Sequence, residues 1–348
     1  MTEKLKVGIL GATGTVGQRF IQLLENHPQF EVTEVCASER SEGKNYAQAA
    51  AWKLATPLPE RVGRLKVKPI EPTLDCDIVF SSLPSSIAAS AEVAFAQAGY
   101  PVISNSSALR MEADVPLVIP EINADHLGLI TRQRTVRNFD KGFVVTNPNC
   151  SVITFAAPLA ALSEAFGVES VAVTTLQAVS GAGYPGVPSL DVADNVVPYI
   201  DGEEPKVETE PQKILGQLIG DSIEHASFSI SAQCNRVPVL DGHLACLKVK
   251  LSVTPAIEDV RYALEDFDGP ALTSSPPKLI VFRDEIDRPQ PRLDRDASNG
   301  MAITVGRLQP DNVFDFRFVA LSHNTIRGAA GAAILNAELL ADRGWVGG

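Results

Sequence analysis

The chain has 348 residues, of which 45% are hydrophobic and 21% charged, and its formal net charge is −12. That length exceeds what one core ordinarily serves and points to two domains, while the acid excess argues against a general nucleic-acid binder, which needs a basic face. Five scattered cysteines with no CxxC pair suit a reduced, intracellular setting, and no apolar run of about 18 residues is present to span a bilayer.

The opening Met1-Thr2-Glu3-Lys4 is polar and carries no signal-peptide pattern. Residues 6–10 (KVGIL) predict a short buried strand, GATGTVG fills 11–17, and 18–25 continue with helical spacing. In a strand–loop–helix unit Gly11 permits the tight turn. Gly14 lets the backbone approach a pyrophosphate, and Gly17 allows close helix packing. Thr13, Thr15 and Val16 lie in the same loop. A bland turn is the competing reading of three glycines; placement after an N-terminal strand favours the dinucleotide reading.

A second strand, 32–37, ends in Ser38, Glu39, Arg40 and Ser41. An NAD site usually offers a carboxylate there. Hydroxyls and Arg40 suit the 2′-phosphate of NADP better, with Glu39 as the counter-indication. Further strands are expected at 77–80 and 101–104, with an Ala-rich helix over 87–98 between them. This alternation predicts an α/β, Rossmann-like, doubly wound parallel sheet. Ser82 leaves one strand at its C-terminal end, where ligands sit in such sheets.

After residue 150 the texture changes. A β-rich run covers 171–179, the glycine-rich SGAGYPG follows at 180–186, and a helix is expected over 189–197. Thr209-Glu210-Pro211-Gln212 matches a capping box and predicts a helix from there to 219, with Glu210 and Lys213 on one face. Strands at 244–253, 301–308 and 313–321, the last two joined as a hairpin through 310–312, predict an α+β second domain with a large, mainly antiparallel sheet that could cover a partner subunit. From Arg327 a helix rich in Gly and Ala is expected to return to the first domain. The expected division is 1–149 with 325–348, and 150–324.

The stretch NPNCS (147–151) opens an expected helix over 151–166, with Asn147 or Asn149 as its cap. A cysteine in the first turn meets partial positive charge that favours the thiolate, and unpaired N–H groups there could hold an oxyanion. The bland alternative is a cysteine packed at a domain junction. Of the five histidines, 27, 126 and 225 are expected to be solvated. His243 follows the Asp241-Gly242 turn and opens a strand, with Arg236 seven residues earlier, so the two could flank one pocket.

Taken together, GATGTVG, SNSSALR (104–110), NPNCS, QAVSGAGYPG (177–186), ETEPQKILG (208–216), RVPVLDGH (236–243) and HNTIRGAAGAA (323–333) resemble the aspartate-β-semialdehyde dehydrogenase family, most of all its archaeal and fungal branch. The resemblance spans nearly the whole chain. It implies Cys150 as the acyl-accepting nucleophile and His243 as the acid–base residue. By the same resemblance, Gln177 and Asn149 lie beside the substrate, Arg236 clamps its α-carboxylate and Glu210 holds its α-ammonium. Arg110 and Lys213 would bind the phosphoryl group or inorganic phosphate. Gly11, Thr13, Gly14, Thr15, Val16, Gly17, Ser38, Arg40, Ser41, Ser82, Ser180, Gly181, Gly183 and Asn324 would line NADP. The resemblance further implies β-aspartyl phosphate and aspartate semialdehyde as substrates, a catalytic and dimerising second domain, a homodimer or homotetramer, no metal, and a step towards lysine, threonine, methionine and isoleucine. A cytoplasmic place is the default expectation for a chain without an address. The rivals are a malonyl-CoA or succinyl-CoA reductase on the same scaffold, a thiol hydrolase, and a catalytically silent dinucleotide-binding regulator.

Overall fold

The computed structural model describes residues 3–347; Met1, Thr2 and Gly348, which fall within the expected polar start and the last segment, lie outside the described residues. The first sheet contains β1 (Leu5–Leu10), β2 (Phe30–Cys36), β3 (Val67–Lys68), β4 (Ile78–Ser81), β5 (Pro101–Ser104) and β6 (Phe143–Thr146), in the order β3-β2-β1-β4-β5-β6. Every pairing in it is parallel. Strands buried on both faces read as apolar runs rather than alternations, and all four residues of β4 and of β6 are buried. One face packs on Phe20, Ile21 and the C-terminal helix through Ala333, Ile334 and Ala337; the other packs on Ala88 and Phe95 of the helix Ser85–Gln97.

The second sheet is mixed, not simply antiparallel. After β7 (Val168–Gln177), a small hairpin of β8 (Gln217–Ile219) and β9 (Ser222–Glu224) stands apart. Then come β10 (Ser229–Arg236), β11 (His243–Leu251), β12 (Ile280–Arg283), β13 (Ile303–Pro310) and β14 (Phe316–Ser322), and the sheet order is β10-β7-β11-β14-β13-β12. The three central pairings are antiparallel, whereas β10 joins β7 and β12 joins β13 in parallel. In β11 burial alternates along the strand, as expected of a sheet with one face on the core. That face meets Val152, Phe155, Leu159 and Leu162 of the helix Cys150–Phe166.

Two helix expectations are corrected. The helix opened by Ser189 ends at Val192, because Asp194 takes a positive φ of 57° and Val197 instead bridges to Arg236. The capping box at Thr209 does not form. The helix starts earlier and runs Glu203–Ile214, with Pro211 inside it, and Thr209 Oγ1 donates back to the Pro205 carbonyl at 2.7 Å. Residues 217–219 are strand β8. Among the described residues no helix is long and apolar enough to cross a membrane.

Candidate active site

Cys150 is the first residue of its helix, and Asn149, not Asn147, is the cap. The Asn149 side-chain oxygen accepts from the amides of Ser151 at 2.7 Å and Val152 at 3.3 Å. Asn147 serves the interior instead: it donates to Asn105 Oδ1 at 2.8 Å and accepts from Asn336 Nδ2 at 2.6 Å. Because the cap consumes two first-turn donors, the Cys150 amide, facing its own sulfur, is the one left for an oxyanion. Gly328 makes room for this corner, since a Cβ there would sit 2.9 Å from the Cys150 Cβ.

The sulfur lies 3.2 Å from His243 Nε2, and the Ala178 amide donates to His243 Nδ1 at 3.1 Å. A backbone N–H can only donate, so Nδ1 presents its lone pair and the neutral ring carries its proton on Nε2. Arg236 Nη1 donates to the Ala178 carbonyl at 2.8 Å. Arg236 and His243 therefore do flank one space, and Gly181 borders it: a Cβ there would lie 3.0 Å from Arg236 Nη1 and 3.1 Å from His243 Nε2.

The resting thiolate expected at the helix start meets an opposing effect of burial here. Enclosure of the sulfur pushes the Cys150 thiol up to about 12, and Glu203 adds to that, against smaller opposite effects of Arg110 and Arg236. Burial likewise lowers His243 to about 3, helped by Arg236 and His323. Although Cys150 keeps part of its surface exposed, burial works against the helix start, and both shifts favour a neutral thiol beside a neutral imidazole.

Glu210 and Arg110 are both buried and paired, Arg110 Nη1 to Glu210 Oε1 at 2.9 Å, while Glu210 Oε2 accepts the Asn149 amide at 2.6 Å. Arg110 Nη2 donates to the Asn105 carbonyl at 2.7 Å, and Arg110 Nε has no partner. Lys213 differs from the expectation of a free phosphate ligand. Its ammonium donates to the carbonyls of Arg110, Glu112 and Val115 at 2.7, 2.8 and 2.8 Å, which uses all three of its hydrogens. Burial lowers its pKa to about 8.

The glycine loop has the shape of a phosphate cradle. Gly11 has φ of +77°, and a Cβ there would meet the Ser82 carbonyl at 2.9 Å; one on Gly17 would lie 2.4 Å from the Gly11 carbonyl. Gly14 caps the helix Thr15–Leu24, which begins within the loop, without a side-chain acceptor. The helix-start amides are thus open to an anion. Ser82 Oγ donates to the Leu10 carbonyl at 3.0 Å, and Thr13, Thr15 and Val16 are half-buried around the turn. Ser38, Glu39 and Arg40 are exposed just past β2, with Ser41 half-buried. Asn324 donates to Ser180 Oγ and accepts from the Gly242 amide, both at 2.8 Å, so it ties the 180–183 turn to the His243 turn. Gly183 has φ of 71°. These residues fit a dinucleotide.

Two family models match: semialdehyde dehydrogenase, NAD binding domain, over residues 6–130, and semialdehyde dehydrogenase, dimerisation domain, over 159–327. An aspartate-semialdehyde dehydrogenase of Archaeoglobus fulgidus is 51% identical, covering 97% of this chain and 98% of its own. That of Schizosaccharomyces pombe is 48% identical over 97% and 98%. The chain belongs to the aspartate-semialdehyde dehydrogenase family. The Candida albicans family member, solved with NADP, superposes with a TM-score of 0.90 at 42% identity over 99% of this chain and 100% of that one. A Vibrio cholerae member, solved with ASA, gives 0.78 at 27% over 98% and 99%.

Among the histidines of this family member, only His225 is solvated as expected. His27 is buried, 2.8 Å from Glu338, and His126 is buried between Asn123 and the Gly216 carbonyl. Sequence reasoning also missed Glu203, whose carboxylate sits under the nucleophile. Its Oε1 accepts from Asn149 Nδ2 at 2.9 Å and Gln177 Nε2 at 3.1 Å. Nothing in DGEEP (201–205) marks one glutamate over its neighbour.

Proposed function

We propose that this chain catalyses the NADPH-dependent reductive dephosphorylation of β-aspartyl phosphate to aspartate semialdehyde, and the reverse oxidation. The observation that carries the proposal is the Cys150 sulfur 3.2 Å from His243 Nε2 at a helix start, with Arg110, Arg236 and Glu210 grouped around it. A zwitterionic amino acid needs one cation and one anion, and its phosphoryl group needs further cations. Arg236 offers the planar fork that suits an α-carboxylate, and Glu210 the charge for an α-ammonium. The unpartnered Nε of Arg110 is a ready donor for phosphoryl oxygen. A direct Lys213 contact asks for release of one of its three carbonyls, so Lys213 supports the phosphate side through the 110–115 segment.

In this reading the Cys150 sulfur attacks the acyl carbon and forms a carbon–sulfur bond as the bond to the phosphate oxygen breaks; the thiol proton passes to that oxygen, and hydrogen phosphate leaves toward Arg110. The Cys150 amide and the Nε2 hydrogen of His243 hold the oxygen through the thioester and thiohemiacetal stages. Ser38, Arg40 and Ser41 would hold the 2′-phosphate of NADPH, which would supply the hydride when bound. The oxyanion left by hydride transfer re-forms the carbonyl as the carbon–sulfur bond breaks; the Nε2 hydrogen of His243 stabilises the departing thiolate, which takes a proton from solvent to return to the thiol.

The dimerisation-domain match and the half-exposed outer face of β11 support a homodimer, with a homotetramer as the larger assembly. We infer a cytoplasmic setting, a place in amino-acid biosynthesis, and a boundary between the cofactor and catalytic domains at 149/150 and 324/325. The test is oxidation of aspartate semialdehyde followed by nicotinamide absorbance. Activity that requires phosphate and NADP supports the assignment; activity only with coenzyme A in place of phosphate overturns it in favour of a CoA-ester reductase.

A further inference from the structure

Glu203 lies at the start of its helix, 6% exposed, with its carboxylate turned inward. One oxygen, Oε1, accepts from Asn149 Nδ2 at 2.9 Å, Gln177 Nε2 at 3.1 Å and Ser151 Oγ at 3.4 Å. The other, Oε2, is 3.3 Å from the Lys206 ammonium. Each contact fixes an ambiguous group. An asparagine amide can cap a helix only with its oxygen toward the N–H groups, and Glu203 holds the nitrogen end of Asn149 away from them. The Gln177 nitrogen is held by Glu203 and by Thr175 Oγ1 at 3.2 Å, so both its hydrogens are used and only its oxygen remains to meet a substrate. A buried carboxylate beside a nucleophilic sulfur is costly for stability and for thiol ionisation, so a packing role alone would be served better by an apolar side chain.

We propose that Glu203 is a positioning residue of this active site: through Asn149 and Gln177 it sets the cap beneath the Cys150 sulfur and the polarity of the amide beside it. The same charge opposes ionisation of the sulfur, against the opposite effects of Arg110 and Arg236.

The proposal rests on the function read above, and its test separates the two. In Glu203→Ala both acceptor and charge are lost. We expect kcat to fall about 100-fold, the scale of a misplaced reacting group, while KM for the semialdehyde stays within about threefold. Glu203→Gln keeps an amide oxygen where Oε1 stood and is expected to recover kcat to within about tenfold of the original. Its Cys150, freed of the adjacent charge, should alkylate with iodoacetamide several-fold faster at pH 7 than in the unsubstituted protein, read by mass spectrometry of the Cys150 peptide. If Glu203→Ala fails to fold, Asn149→Ser, which keeps a cap acceptor but drops the amide that Glu203 holds, should show the kcat loss instead. Full kcat in Glu203→Ala or in Asn149→Ser, or no recovery in Glu203→Gln, overturns the proposal. An unsubstituted protein inactive on the semialdehyde would sink the function assignment, while nitrogen-15 signals of the Asn149 and Gln177 side-chain amides, read without turnover, still judge the residue: signals shifted in Glu203→Ala support it, unchanged ones refute it.

Discussion

The Ala178 amide donates its hydrogen to His243 Nδ1 at 3.1 Å, and this one bond fixes which nitrogen of the ring faces Cys150 with a proton. In the neutral ring Nε2 is the donor, 3.2 Å from the sulfur. A second proton would have to enter at Nδ1, against an N–H already pointing there.

His243 is therefore expected to stay neutral as the Nε2–H tautomer across the working pH range. Its folded value of about 3 lies below the ordinary 6.5. Between those values the unfolded chain binds a proton that the folded chain refuses, so this group's effect is a loss of stability as pH falls from 6.5 toward 3. Nitrogen-15 spectra of histidine-labelled protein should show a pyridine-type Nδ1 at pH 5; an imidazolium pattern there would refute the assignment.

Cys150 should be a sluggish nucleophile in the free protein. With the thiol pushed up to about 12, its alkylation by iodoacetamide is expected to rise about tenfold per pH unit from pH 7 to pH 9. A plateau below pH 7 would mean that a thiolate already stands there. Cys150→Ser should lose about 1,000-fold or more of kcat with little change in melting temperature.

Gly181→Ala tests the space between Arg236 and His243. Its Cβ would lie 3.0 Å from Arg236 Nη1 and 3.1 Å from His243 Nε2, tighter than ordinary contact, so one of them must give way. Gly181 is itself exposed, so the cost falls on chemistry, not on the core. We expect kcat/KM to drop about 10- to 100-fold and stability to change by less than about 1 kcal/mol. Unaltered turnover would show that the two side chains move freely.

Lys213→Met removes a buried ammonium from three carbonyls of the 110–115 segment. Leaving buried carbonyls without their donor costs roughly 1–3 kcal/mol, visible as a lower denaturation midpoint. The KM for phosphate should rise because Arg110 loses its support. A raised KM with undiminished stability would instead show that Lys213 meets phosphate directly.

The parts legible in the sequence are those whose partners are close along the chain. GATGTVG announced its turn because Gly11 and Gly17 face atoms within the same loop or the strand beside it. NPNCS announced a capped helix because Asn149 binds amides two and three residues on. Local rules misled where a longer element took over. The capping pattern at Thr209 lies inside a helix that had begun at Glu203, and Ser189 opens a helix that Asp194 cuts short. His27 and His126 looked solvated because Glu338 and Gly216, which enclose them, are distant in sequence.

The strand–loop–helix cradle, a cysteine at a helix start and the family's motifs in order were legible in the residues alone, since each depends on short-range spacing and on residue chemistry. The tautomer of His243, the occupied hydrogens of Lys213 and the place of Glu203 came from the folded chain. Those follow from burial and from contacts between β7, β11 and two helices that the fold alone brings within hydrogen-bonding distance.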